Sequence, residues 1–202
     1  MAEKTATGQQ SQKWCKRWQI DMENKVSEFD KVVYYKIRDN VSNFIKQQAE
    51  EFDSYSTNVL DIAPQNHAGA KQWFLKSQVL TADIDDKSGA DYIIDICQNN
   101  ENTIVTGTFD IIVCTEVLEH TLNPFLAVNE IHRLLKEGGV LLMTTPFNFR
   151  IHGPLPDCWR FTEHGIRALL KDFEIIKIES LEDEGRFLMP LHYRTIAKKS
   201  IP

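Results

Sequence analysis

The sequence predicts a doubly wound α/β domain with a mostly parallel, seven-stranded sheet, an antiparallel hairpin at its C-terminal end and a helical extension at its N-terminus. The first observation is a series of seven short apolar runs between residues 58 and 197, several of them separated by helical patterns. Near-continuous apolar runs are typical of strands that are covered on both faces, as in a parallel sheet. The second observation is that no helical pattern separates the last two runs, which favours an antiparallel hairpin at one edge.

The seven predicted strands are joined by segments with recognisable helix ends. The strands comprise residues 58–62, 79–84, 92–96, 109–114, 139–145, 173–179 and 192–197. After the fourth strand, Asn123 and Pro124 suit the N-cap and first position of a helix, which Gly138 and Gly139 are predicted to end. A later helix is predicted to begin near Thr162. Sheets of this kind bind ligands at the carboxyl ends of the strands, near the point where the strand order reverses.

The N-terminal part of the chain carries one further helical pattern. Apolar residues recur in steps of three and four at Val26, Phe29, Val33, Ile37, Val41 and Phe44. This spacing places them on one face of a helix, which could either cover an edge of the sheet or form a lid over a substrate. We therefore divide the chain into a helical extension, residues 1–54, and a domain that comprises residues 55–202.

The composition narrows the classes of partner. Asp and Glu outnumber Lys and Arg by 29 to 23, and this acidic balance argues against nucleic acid or an anionic membrane as the main partner. The four cysteines form no CxxC pair and no compact cluster with histidine, so the sequence predicts no metal site. Reduced cysteines, the absence of an apolar leader and the absence of a run of about 20 apolar residues together predict a cytoplasmic protein.

Acidic residues at strand ends predict a site for a nucleotide-like ligand. Asp83 closes the second strand, 22 residues after Asp61 near the end of the first, which is the separation that a βαβ unit requires. A carboxylate there accepts hydrogen bonds from a ribose diol, although an exposed acidic loop would look the same in the sequence. Asp95 and Ile96 end the third strand, where they either contact an adenine ring or form an ordinary turn.

The strongest local pattern begins at the fourth strand. Residues 109–147 read FDIIVCTEVLEHTLNPFLAVNEIHRLLKEGGVLLMTTPF. This stretch resembles the class I methyltransferases of the type 11 group, because residues 116–120 (EVLEH) match their motif after the fourth strand and residues 134–139 (LLKEGG) match an LLKPGG-like turn. Residues 152–162 (HGPLPDCWRFT) resemble a subset with the pattern H-x-x-P-x-D-x-W-R-F-T. The resemblance covers about residues 55–198.

The resemblance implies S-adenosylmethionine as the cofactor and a set of residues at the strand ends that bind it. These are Asp61, Ala63, Gln65, Asp83, Ile84, Asp95, Ile96, Cys114, Thr115 and Glu116. The family usually has D-x-G-x-G after the first strand, whereas Ala63 and Gln65 occupy the glycine positions here. Gln65 is larger than glycine, so it could crowd the methionine portion of the cofactor, or it could hydrogen-bond the carboxylate of that portion.

Two histidines near the predicted acceptor site are candidates for a general base, since imidazole exchanges protons near neutral pH. The first is His152, although a loop histidine is often a bystander; Asp157 could orient it or cap the next segment. The second is His120, for which a structural hydrogen bond is at least as good an alternative. Trp159 and Arg160 could line the acceptor pocket. Alternatively, Trp159 anchors the core and Arg160 pairs with a carboxylate.

The combined interpretation is an enzyme that methylates an oxygen atom of a small-molecule, sugar, glycan, natural-product or peptide acceptor. Glu116 and Glu119 are three residues apart, so they could act as paired carboxylates or stabilise the first turn of a helix. A nicotinamide-dependent dehydrogenase would need a G-x-G-x-x-G turn, which residues 61–70 lack. The altered loop at Ala63 and Gln65 favours a further alternative, a non-catalytic binding or partner subunit with the same fold.

Overall fold

A seven-stranded sheet forms the centre of the protein in the computed structural model, which describes residues 26–65 and 68–200. The strands are β1 (Asn58–Ile62), β2 (Gln78–Asp83), β3 (Tyr92–Ile93), β4 (Phe109–Thr115), β5 (Leu135–Pro146), β6 (Phe173–Leu181) and β7 (His192–Lys199). All seven predicted strands are present. Most of their ends lie within two residues of the prediction, but β3 is shorter and β5 begins four residues earlier.

The strands lie in the order β3-β2-β1-β4-β5-β7-β6. Neighbouring strands among β1 to β5 are parallel, whereas β7 is antiparallel to both β5 and β6. This arrangement confirms the predicted doubly wound fold with an antiparallel hairpin at its C-terminal edge. Because the strand order reverses between β1 and β4, the carboxyl ends of these two strands flank the place where such sheets bind ligands.

Helix α1 (Glu28–Phe52) covers one face of the central strands. It begins at Ser27, whose hydroxyl accepts a hydrogen bond from the backbone N–H of Asp30. Its buried apolar residues, which pack with β1, β4 and β5, are Val33, Ile37, Val41, Phe44, Ile45 and Ala49. Val26 precedes the helix and Phe29 is 49% exposed, so these two members of the predicted apolar face lie outside it. The helix therefore packs across the sheet and not along its edge.

Helix α2 (Pro124–Leu134) begins where the sequence predicts, since the Asn123 side chain caps its first turn. Its predicted end at the two glycines is wrong. Leu135 already has extended backbone angles and pairs with Phe109 of β4, so the helix changes directly into β5. Gly138 lies within this strand and has a φ of +75°, a conformation that glycine adopts without a steric penalty.

The connections between the parallel strands contain less helix than the alternating pattern predicts. Helix α3 (Glu163–Leu169), which Thr162 caps as predicted, connects β5 to β6. In the described residues between β1 and β2, the only helix is one 3-10 turn, Gly69–Gln72. A second 3-10 turn, Leu118–His120, follows β4. Helix α1 covers one face of the sheet at β1, so no longer helix is needed between β1 and β2 to bury that face.

Two further findings bear on the predicted environment of the chain. Cys97, Cys114 and Cys158 are free thiols in the described part of the chain. Among residues 26–65 and 68–200, no helix combines the length and the apolar character that a membrane-spanning segment needs.

Candidate functional site

A cavity of about 420 Å³ opens beside the carboxyl end of β2. Its volume is within the roughly 300–1,000 Å³ that is usual for ligand sites. Gln65 and Asp83 line it, together with Lys71 of the first 3-10 turn and Ser88 of the loop after β2. The structure therefore brings together two of the ten predicted cofactor-binding residues in one concave site. The other eight lie outside this lining.

Asp61 holds the loop that borders this cavity. Its side chain is buried, and its Oδ2 accepts a hydrogen bond of 2.7 Å from the backbone N–H of Ala70. Burial raises the pKa of the Asp61 carboxyl to about 7, although the Ala70 hydrogen bond and the Lys71 charge oppose the increase. Asp61 thus fixes the position of the Ala70 backbone at the end of its own loop. A direct role for Asp61 in cofactor binding stays a prediction.

At Ala63 and Gln65, the loop after β1 has left-handed backbone angles of the kind that glycine adopts freely. The φ angles of Ala63 and Gln65 are +51° and +53°, and that of Gly69 is +54°. Left-handed backbone costs a residue with a side chain roughly 1–2 kcal/mol, whereas glycine adopts it freely. The two departures from D-x-G-x-G therefore keep the loop geometry at a cost in stability, which is a common property of functional sites.

This strain predicts that Gln65→Gly stabilises the protein. We expect the free energy of unfolding to rise by about 0.5–1 kcal/mol, because relief of the left-handed strain exceeds the entropy that glycine adds to the unfolded chain. Denaturant unfolding measures the change. Gln65→Ala is the matched control, since it removes every side-chain atom beyond Cβ but keeps the Cβ that causes the strain. An equal gain from both variants would show that strain is not the cause.

The residues at the ends of β2 and β3 have different environments. Asp83 is buried at the cavity, and its Oδ1 accepts a hydrogen bond of 2.9 Å from the Asp85 N–H. Its neighbour Ile84 is 70% exposed, so its side chain is open to contact with a ligand. Asp95 accepts a hydrogen bond from the Cys97 N–H, as a turn residue does, while Ile96 is buried in the core. A cofactor role for Asp95 and Ile96 stays a prediction.

The end of β4 supplies three more of the predicted residues. The Cys114 side chain is completely buried, and burial raises the pKa of its thiol, so it serves the core as a neutral apolar group. Thr115 is half-buried. Glu116 follows it with a φ of +56°, a strained conformation for a residue with a side chain.

Hydrogen bonds of the Glu116 side chain support its strained backbone. His192 Nε2 donates to Glu116 Oε1 over 2.6 Å, and the Thr144 hydroxyl donates to the same oxygen over 3.0 Å. The second ring nitrogen of His192 lies 2.8 Å from Asn40 Nδ2 of α1. Burial raises the pKa of the Glu116 carboxyl, but the electrostatic interaction and hydrogen bond with His192 outweigh burial and lower it. Glu116 is therefore an ionised group whose position depends on three separate elements.

His192, Thr144 and Asn40 are residues of this network that the sequence analysis missed. His192 and Thr144 lie in apolar strand runs, where a polar residue with no exposed surface is unusual. A polar residue within an apolar strand run was the sequence signal that could have identified His192 and Thr144. Asn40 had none, because it lies on a helix with many other polar residues.

Glu119, His120 and His152 form a second cluster at the same edge of the sheet. One ligand atom from each residue lies within 4.8 Å of the others. The Glu119 side chain is completely buried, and neither of its carboxylate oxygens has a hydrogen-bond partner. Burial raises the pKa of the Glu119 carboxyl well above its usual range, and the Glu116 charge adds to the increase.

The loop after β5 brings His152 into this cluster. The backbone N–H groups of Cys158 and Trp159 donate to the Glu119 carbonyl oxygen over 2.7 and 3.2 Å, and this pairing docks the loop on the second 3-10 turn. Asp157 Oδ2 accepts a hydrogen bond from the His152 backbone N–H. The predicted catalytic residues His120, His152 and Asp157 are thus neighbours in the structure. Their catalytic role stays a prediction.

The predicted acceptor-binding residues have partners within the protein. Arg160 binds both carboxylate oxygens of Asp157, over 2.5 and 2.7 Å, and also donates to backbone carbonyls. Trp159 donates from its indole N–H to the Thr121 carbonyl, is 40% exposed and stacks on Phe161. These contacts match the structural alternative for Arg160. The exposed part of the Trp159 ring is available to an acceptor.

Comparison with known proteins identifies a related family. The family model for a methyltransferase domain matches residues 14–182, more than four-fifths of the chain. The match includes the α1 region, which lies outside the resemblance found in the sequence. No curated protein matches the chain.

Solved structures with the same fold are distant in sequence. An S-adenosylmethionine-dependent methyltransferase from Methanosarcina mazei is 17% identical, with a TM-score of 0.59 over 76% of this chain and 97% of that one. The PH0226 protein from Pyrococcus horikoshii is 15% identical, with a TM-score of 0.59 over 81% and 91%. The N-methyltransferase NodS from Bradyrhizobium japonicum is 16% identical, with a TM-score of 0.56 over 80% and 98%. At these identities the similarity demonstrates the shared fold.

Proposed function

Because the chain belongs to the methyltransferase-domain family, whose methyl donor is S-adenosylmethionine, we propose that it methylates a hydroxyl oxygen of a small-molecule, sugar or natural-product acceptor. The observation that carries the choice of oxygen is the cluster of the buried Glu119 with the half-buried His120 and His152. A hydroxyl must lose its proton as it is methylated, so an acceptor of this class benefits from proton-accepting groups at the site. A carboxylate acceptor would not need them.

The cofactor fits the strand ends described above. S-adenosylmethionine supplies a methyl group on a positively charged sulfur, which leaves as a neutral thioether, so the protein mainly has to bind and align the reactants. We assign Asp83 to the ribose hydroxyls, because Oδ1 is the only one of its two carboxylate oxygens with a hydrogen bond in the described part of the chain, which leaves Oδ2 for a ligand. The loop that contains Ala63 and Gln65 would border the methionine portion, with Asp61 fixing the loop from beneath.

The acceptor would bind beside the loop after β5. His120 and His152 are both half-buried, so an acceptor hydroxyl can reach their rings. The His152 ring is positioned by Asp157, which Arg160 holds in turn. Burial lowers the pKa of the His152 imidazole, which keeps the ring neutral and leaves a lone pair on one nitrogen. The exposed face of Trp159 would contact the apolar side of the acceptor.

Calorimetric titration with S-adenosylmethionine tests the cofactor assignment. We expect Asp83→Ala to weaken binding by about 10- to 100-fold, the effect of losing one or two hydrogen bonds to a charged group. Asp86→Ala is the matched control, since Asp86 is an exposed acid in the same loop and its loss is expected to leave the affinity unchanged. Equal affinities of wild type and Asp83→Ala would contradict the assignment.

A screen of candidate acceptors tests the reaction. The wild-type protein is incubated with S-adenosylmethionine and a panel of sugars, phenols and amines, and a mass gain of one CH2 unit identifies the methylated product. We expect products from hydroxyl compounds. Methylation of amines alone would replace the oxygen acceptor by a nitrogen one. Cofactor binding without any product across the panel would favour a non-catalytic role.

A further inference from the structure

We propose that Glu119, His120 and His152 bind a divalent transition-metal ion next to the acceptor. The three residues come from the second 3-10 turn and from the loop after β5, at the carboxyl edge of the sheet. The inference rests on the proposed function for its chemical purpose, since a cation beside the acceptor favours loss of the hydroxyl proton. The binding site itself rests on geometry alone.

The first observation is an unpartnered carboxylate. Glu119 is completely buried, yet both of its oxygens lack a hydrogen-bond partner. A buried carboxylate without a compensating partner is costly, and native proteins pair such groups with donors or with metal ions. The rings of His120 and His152 are the groups next to it, with Nε2 atoms 3.7 and 3.6 Å from Glu119 Oε1.

The second observation is that both rings turn a lone pair towards Glu119. His120 Nδ1 lies 2.9 Å from the Pro156 carbonyl, which only accepts hydrogen bonds, so Nδ1 carries the proton. His152 Nδ1 lies 3.1 Å from Asp157 Oδ2, outside hydrogen-bond alignment but close enough for the carboxylate to favour a proton there. In neutral rings this leaves Nε2 of both residues unprotonated. Metal-binding histidines commonly have this support from a carbonyl or carboxylate on their other nitrogen.

The third observation is the spacing. Ligand atoms of a tetrahedral site with metal–ligand bonds of about 2.0–2.2 Å lie roughly 3.4 Å apart. The distances of 3.6 and 3.7 Å from Glu119 Oε1 to the two nitrogens exceed this spacing by only a few tenths of an ångström. All three ligand atoms lie within 4.8 Å of one another, so a bound ion would draw the two rings closer together. Two imidazoles and one carboxylate suit zinc, iron, manganese and cobalt ions better than calcium or magnesium. The partial exposure of both rings leaves room for a further ligand from solvent or acceptor.

Metal titration of the untagged, full-length protein tests the site. After treatment with a chelator and dialysis, the protein is titrated with Zn²⁺ by calorimetry, and Co²⁺ provides a visible absorption spectrum. We expect one equivalent of Zn²⁺ and a cobalt spectrum of nitrogen and oxygen ligands. Glu119→Gln should weaken Zn²⁺ binding by at least about 100-fold, and Asp157→Asn by about 10-fold through the loss of support for His152.

His164→Gln is the matched control, because His164 is an exposed histidine on α3 and should leave metal affinity unchanged. Thermal unfolding shows whether each variant is folded, so a collapsed variant is not mistaken for a lost ligand. The proposal is overturned if the wild type binds no Zn²⁺, because the unpartnered carboxylate then holds only a proton. It is equally overturned if Glu119→Gln binds as well as wild type, or if a cobalt–thiolate absorption band places the ion on a cysteine.

The two proposals can fail separately. Binding of S-adenosylmethionine is measured on the same chelator-treated samples. Protein that binds this cofactor but no metal would leave the methyltransferase proposal intact, with the imidazoles themselves as proton acceptors. If the protein binds metal but no S-adenosylmethionine, the metal site is supported but its proposed role in methyl transfer is contradicted.

Discussion

Gly69→Ala is expected to lower the free energy of unfolding by about 3 kcal/mol and to abolish binding of S-adenosylmethionine. A Cβ atom on residue 69 would lie 2.1 Å from Asp61 Oδ2, so the buried carboxylate must move. The movement breaks the hydrogen bond from the Ala70 N–H. Such a bond contributes about 1–3 kcal/mol, and the upper part of that range applies above pH 7, where the Asp61 carboxyl is ionised. The φ of +54° adds roughly 1–2 kcal/mol of backbone strain.

The loss of affinity follows from the position of the loop. Asp61 holds the backbone of Ala70 at the end of the loop after β1. Earlier residues of the same loop, Pro64 and Gln65, line the cavity at Asp83. A shift of the carboxylate therefore moves one wall of the proposed cofactor site. Calorimetry measures binding, and thermal unfolding should show a midpoint lower by about 6–12 °C for a protein of this size.

Gly185→Ala separates the clash from the strain. Gly185 has a φ of +72°, and an added Cβ there would meet no atom within 4 Å, so that variant carries only the cost of left-handed backbone. We expect it to lose about 1 kcal/mol and to bind S-adenosylmethionine as wild type does. If the two variants lost the same stability, the contact with Asp61 would have no energetic role.

The fold could be predicted from the sequence because each strand is an apolar run and each run has a place in the sheet. The hairpin of β6 and β7 was predictable for the same reason, since the segment between them has no helical pattern. The end of α2 was not, because glycine can either end a helix or occupy an irregular strand. Pairing of Leu135 with Phe109 decides between these outcomes, and that pairing is a long-range contact.

The candidate site was predictable only in part. Asp61 and Asp83 follow from their positions at strand ends, and both lie where the pattern places them. The cluster of Glu119, His120 and His152 was not predicted, because His152 lies more than thirty positions after the adjacent Glu119 and His120. They meet only because the loop after β5 docks on the Glu119 carbonyl.

The backbone conformation at Ala63 and Gln65, in the loop after β1, could not be predicted from the sequence either. The absence of glycine at Ala63 and Gln65 suggests a different loop, yet both residues keep the left-handed angles that glycine would adopt. Closure of the loop by Asp61 and Ala70 imposes this conformation against local preference. Sequence patterns report such preferences, so they fail where a tertiary contact overrides them.

His192→Leu is expected to destabilise the protein by about 3–5 kcal/mol, the usual cost of leaving a buried carboxylate without its main partner. His192 is completely buried, and its Nε2 provides the 2.6 Å hydrogen bond to Glu116 Oε1. Leucine leaves the ionised carboxylate with the Thr144 hydroxyl as its remaining side-chain donor. It also removes the ring nitrogen that contacts Asn40, and so breaks the polar link between α1 and the Glu116 side chain. Denaturant unfolding measures the loss.

Three variants test whether the loss comes from the unpaired charge. His164→Leu makes the same substitution at an exposed position and should change stability by less than about 0.5 kcal/mol. The other two are Glu116→Leu and the double variant Glu116→Leu/His192→Leu, which removes both partners. We expect the double variant to be more stable than the sum of the two single effects predicts. The coupling energy should exceed about 1 kcal/mol, because Glu116→Leu removes the carboxylate that His192→Leu leaves without its partner. Strictly additive effects would mean that His192 contributes by packing alone, and the strained backbone of Glu116 would then need another source of support.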